Sequence, residues 1–107
     1  MITEQQATEH WQFLEDSSPE YGILKARVEA KEHLAKQYWS QAFLDAGGPV
    51  KERECRENLD PRVIKARGEY EDAVAREKTL WAQRKSAELA IAMWQTLSAN
   101  NRQGVVI

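Results

Sequence analysis

The stretch Pro61-RVIKARGEYEDAVAREKTLWAQRKSAELAIAMWQTLS-Ala99 decides the fold. It holds one Gly, has no Pro after its first residue, and is rich in Ala, Glu, Lys, Arg and Leu, all strong helix formers. A single helix of that length rises ~1.5 Å per residue, roughly 57 Å in total, about twice the width of a compact domain. Its apolar positions Val63, Ala66, Tyr70, Ala73, Leu80, Ala87, Ile91 and Trp94 recur at alternating steps of three and four, interrupted by Glu77 and Arg84. One face therefore wants a long partner, supplied by the same chain or by another subunit.

Helix boundaries radiate outward from this rod. Asp60-Pro61 is a cap followed by the residue best suited to a first helical turn. Upstream, Lys51-ERECREN-Leu59 is polar and helix-prone, which predicts a short, mobile helix inside the connection 47–60. Gly47-Gly48-Pro49 stops whatever precedes it, with Gly47 suited to a left-handed cap. From Pro19 to about Ala46, the residues Tyr21, Leu24, Val28, Ala35, Tyr38 and Ala42 share the same spacing, and Lys31 fills the one gap. At the N-terminus, Thr3 with Gln6 forms a capping box for a helix over about 4–16, carrying Ala7, Trp11 and Leu14. Asp16-Ser17-Ser18-Pro19 reads as its end, with Ser18 capping the next helix. After Ser98-Ala99-Asn100-Asn101 the rod should fray, leaving 102–107 as a flexible tail.

These elements predict one all-α domain: an elongated, coiled-coil-like antiparallel helical hairpin whose N-terminal arm is kinked at Pro19. If the second helix turns back along the rod, Tyr21 falls near Ser86, and the first helix covers the remaining rod end. Charge agrees, because residues 1–35 are acidic and residues 73–107 basic within a chain of net charge −2. Burial does not close on one copy. Ala87-ELAIAM-Trp94 is apolar almost all round, and four tryptophans are many for a two-layer hairpin. This predicts a homo-oligomer, dimer or higher, with Leu89, Ile91, Met93, Trp94 and Leu97 at its protein interface.

Composition narrows function by exclusion. No window approaches the ~18 apolar residues of a membrane span, and the opening Met1-ITEQQATEH-Trp11 has no basic start or apolar signal core. With Cys55 alone, no intrachain disulfide is possible, and a cytoplasmic setting is expected. His10 and His33 lack the Glu-x-x-His spacing of bundle metal sites, so no metal or other cofactor is expected. Neither a nucleophile constellation nor a phosphate-cradling Gly loop is present, and the chain reads as a non-enzyme. The specific alternative is weak single-stranded nucleic-acid binding, since Arg53, Arg56, Arg62 and Lys65 cluster at the hairpin tip near aromatic residues. Interspersed Glu52, Glu54, Glu57 and Asp60 reduce that patch's charge.

Ser18-Pro-Glu-Tyr21, Leu24-KARV-Glu29, Glu52-Arg-Glu54, Asp60-Pro61, Leu80-Trp81, Ile91-AMW-Gln95 and Ser98-ANN-Arg102 together resemble small, uncharacterised helical proteins of tailed bacteriophages and prophages. Met93 and Gln95 depart from that pattern, where Val and Arg are expected. The resemblance implies an accessory of phage recombination or replication in the host cytoplasm, with a phage or host protein as partner. It brings no catalytic residues. The leading expectation is an adaptor that works by self-association and protein binding; a phage-encoded inhibitor of a host enzyme is a further alternative.

Overall fold

The computed structural model describes residues 2–102, and the expected tail from Gln103 to Ile107 lies outside them. The described chain is all-α: α1 spans Glu4–Ala46, α2 Val50–Leu59 and α3 Pro61–Arg102. Its residues gather into two compact units, one joining the chain up to Gly22 with that from Thr79 onward, the other comprising Ile23–Lys78. In each unit α1 and α3 run antiparallel, so the expected helical hairpin is the observed fold.

Three local devices behave as the residue types dictate. The Thr3 N–H donates to Gln6 Oε1 at 2.9 Å while the Gln6 N–H donates to Thr3 Oγ1 at 3.2 Å, a reciprocal capping box. Gly47 and Gly48 both have positive φ, 63° and 82°, the region open to glycine that ends α1. The Arg62 N–H donates to Asp60 Oδ1 at 2.9 Å, satisfying a free donor at the start of α3. The same carboxylate receives the Arg62 guanidinium, chiefly through that side-chain hydrogen bond, and is held below its ordinary pKa.

One boundary differs. No break occurs at Asp16-Ser17-Ser18-Pro19: α1 is a single helix of 43 residues with Pro19 inside it. Ser18 is not an N-cap; its hydroxyl instead donates back to the Leu14 carbonyl at 2.7 Å. The physical reason lies in the phase of the stripe that faces α3. Ala7, His10, Leu14, Ser17, Tyr21, Leu24, Val28, Lys31, Ala35, Tyr38 and Ala42 step by three and four without a slip. In heptad terms they are a and d positions. Pro19 then falls at f, on the outer side, where the missing N–H and ring bulk face water rather than the partner helix. On α3 the series Val63, Ala66, Tyr70, Ala73, Glu77, Leu80, Arg84, Ala87, Ile91, Trp94 is equally unbroken.

The two stripes meet in a fixed register. Among residues up to Gly22 and from Thr79, the Arg84 guanidinium donates to Ser17 Oγ at 2.7 Å. In Ile23–Lys78, Lys31 Nζ donates to Glu69 Oε2 at 3.1 Å, beside Tyr70. This register puts Leu14 opposite Ala87 and Val28 opposite Ala73, a large residue facing a small one. Ala7, Ala42, Ala66, Ala73 and Ala87 are all nearly fully buried, so much of the seam is made of methyl groups and brings the backbones close.

Two glycines stand inside helices on the outer side. A Cβ at Gly22 or Gly68 would meet nothing within 4 Å. Gly68→Ala is therefore expected to stabilise the protein by about 0.5–1 kcal/mol, as a rise in thermal midpoint.

Candidate functional site

The tip of the second unit is built by α2 folding onto the end of α1. Arg56 Nη1 donates to the Ala46 carbonyl at 2.7 Å, occupying an acceptor that the end of α1 leaves open. Arg53 lies over the Phe43 ring, 5.5 Å from its centroid. Arg62 binds Asp60 at 2.8 Å and Asp45 at 3.2 Å, and these hydrogen bonds raise its already high pKa. Three of the four residues expected to contact nucleic acid thus have structural work inside the unit, while Lys65 is exposed. Glu57 is buried at 2 % exposure, and neither its Oε2 nor Arg53 Nε has a hydrogen-bond partner.

The expected interface residues divide by the side of α3 they occupy. Ile91 is 5 % exposed and belongs to the core of the first unit, as its seam position requires. It is therefore removed from the proposed contact surface. Trp94 and Leu97 are half-buried beside it. Leu89 and Met93, four residues apart and one turn along the outer face, are 69 % and 64 % exposed. Exposed Ala92 lies between them in sequence on the same outer side.

A second apolar feature escaped the sequence pattern. In Ile23–Lys78, Glu32, Ala35, Lys36 and Trp39 of α1 face Val63, Arg67, Tyr70 and Glu71 of α3 across a groove of about 410 Å³. Trp39 stacks on Phe43 with ring centroids 5.9 Å apart and remains 43 % exposed. Its heptad position, e, flanks the seam instead of filling it. Trp11 and Trp81 of the first unit also occupy e positions and are half-exposed. Four tryptophans are more than the two-layer seam holds, and the phase of these three against the a and d stripe sets them on its edge.

Arg84 was legible only as an interruption of the α3 stripe. It is a positioning residue: the guanidinium donates to the Leu14 carbonyl at 2.8 Å and to Ser17 Oγ at 2.7 Å. It also covers the Tyr21 ring at 5.3 Å. A charged group thereby binds a carbonyl and a hydroxyl in the turn ahead of Pro19.

His33 is exposed, His10 is half-buried in the seam, and no group of three or more potential metal-ligating residues occurs among the described residues. No helix among them is long and apolar enough to cross a membrane. No family model matches the chain, and no curated protein or solved structure matches it.

Proposed function

We propose that this protein is a non-enzymatic association module, an adaptor that assembles with itself and binds another protein. One observation carries the reading. The seam of the first unit is already filled by Leu80, Ala87 and Ile91, yet Leu89 and Met93 stand exposed on the outer face of the same helix. Adjacent large apolar side chains with no internal role are the usual substance of a protein contact. The resemblance to phage proteins supplies the context proposed for it, an accessory of recombination or replication.

The nucleic-acid reading has weaker support. Arg53, Arg56 and Arg62 would each have to leave an aromatic ring, a helix-end carbonyl or two carboxylates before meeting phosphate.

Replacing Leu89 and Met93 together by Glu tests the reading. Wild-type protein is expected to sediment above monomer mass at micromolar concentration, and the double variant at a lower mass than wild type. Both positions are exposed, so the thermal midpoint should change by no more than the equivalent of about 0.5 kcal/mol each. A monomeric wild type would contradict self-association, and an unchanged mass in the variant would contradict this face.

A further inference from the structure

We infer that α2 is a releasable strap: it swings away from the tip of the second unit while α1 and α3 stay paired, and the buried Glu57 carboxylate keeps its hold weak. The chain is longer here than the turn requires. Residues 47–60 join α1 to α3, although about 2–8 residues commonly link two neighbouring helices. The hairpin end is also tied without them, because Arg62 of α3 reaches Asp45 of α1 directly at 3.2 Å. Hinges stand at both ends of α2: Gly47 and Gly48 at positive φ before it, and the extended Asp60 ahead of Pro61 after it.

Little holds α2 in place. A helix of 10 residues is marginal in water without tertiary support. Its large apolar side chains supply none, since Val50 is 61 % exposed and Leu59 75 %. The one buried residue of α2 is Glu57. A carboxylate there is unfavourable on two counts. Its Oε2 has given up water without gaining a hydrogen bond, as has Arg53 Nε one turn earlier. It also sits in the last turn of α2, where the helix dipole disfavours an anion. Against these stand the Arg56 hydrogen bond to the Ala46 carbonyl, the Arg53 guanidinium over Phe43, and an exposed bond from Arg67 to Asn58 Oδ1 at 3.4 Å. Release returns Glu57 and Arg53 to water and uncovers the Phe43 ring. It needs no second molecule, so it is independent of the proposed association.

Native-state hydrogen exchange of the full chain reads this opening directly. Corrected for intrinsic rates, the amides of residues 53–59 should exchange at least about a hundredfold faster than those of the seam segments 35–42 and 63–73. Glu57→Met should slow exchange over 53–59 by about tenfold, because a side chain of similar helix propensity replaces the buried charge. Glu54→Met removes the same charge from an exposed position of α2 and should change that exchange by less than about twofold. In both variants the seam amides should keep their wild-type rates.

Protection over 53–59 equal to that of the seam would overturn the inference, since α2 would then open only with the whole hairpin. Faster exchange in Glu57→Met would make the carboxylate a group that holds α2 down, and unchanged exchange would give it no part; either result overturns the inference. Exchange at the free-peptide rate in both wild type and Glu57→Met does so too, because α2 would not be held at all.

Discussion

Ala87→Leu is expected to lower stability by about 1–3 kcal/mol, because the seam has no room for three more carbons opposite Leu14. Ala87 is 2 % exposed, and its register partner is already large. For a domain of this size each kcal/mol shifts the thermal midpoint by about 4–8 °C, so the loss is easily read by circular dichroism. Two controls make the result specific. Ala82→Leu, at an exposed outer position of α3, should leave the midpoint within the equivalent of about 0.5 kcal/mol of wild type. Exchanging sizes, with Leu14→Ala added to Ala87→Leu, should recover most of the loss, since contacting positions couple. Failure of that recovery would mean the two residues are not opposite.

Arg84→Ala should cost about 1.5–3 kcal/mol, through the loss of charged hydrogen bonds to the buried Ser17 hydroxyl and to the Leu14 carbonyl, which keeps the Ser18 hydroxyl as a donor. The Tyr21 face loses its cation in the same step. Arg84→Lys should recover only part of the loss: one nitrogen, Nη1, makes both hydrogen bonds and an ammonium can replace it, but the planar group lying over the Tyr21 ring is gone. Arg84→Met with Ser17→Ala is the informative rescue. It fills the seam and removes one polar partner, and chemical denaturation should place it nearer wild type than Arg84→Ala. A neutral Arg84→Ala would show that the guanidinium only decorates the seam.

Much of this fold is written in local chemistry. Thr3 with Gln6, Gly47-Gly48 and Asp60-Pro61 mark their boundaries because each acts within one turn of its own helix. The Ser17-Ser18-Pro19 segment carries equally strong local signals for a break, yet the helix continues. The deciding quantity is non-local: His10 and Ser17 extend the Tyr21–Ala42 phase back to Ala7 without a slip. Both are polar, so apolar periodicity passes over them and finds Trp11 instead. The same blindness hid the role of Arg84, which occupies a seam position because its partners are a carbonyl and a hydroxyl on the facing helix.

The apolar surface features were legible in part. Leu89 and Met93 follow from an apolar stretch that one partner helix cannot cover. Ile91 lies in the same stretch but faces inward, and only its place in the heptad separates it from its neighbours. The Trp39 groove requires both helices at once: Glu32 and Lys36 lie more than thirty positions from Arg67 and Glu71, and the antiparallel register alone brings them to one rim.

The central claim is that one heptad phase runs through Pro19 and sets both ladders. Cysteine trapping tests it most directly, in a Cys55→Ser background, with Leu14→Cys paired to Ala87→Cys in one protein and Val28→Cys paired to Ala73→Cys in another. Facing seam positions bring Cβ atoms within reach of a disulfide, whereas a change of phase at the proline would rotate Leu14 away from the rod. Rapid closure of both pairs under mild oxidation is the predicted result; closure of the Val28–Ala73 pair alone would contradict the continuous helix and the register built on it.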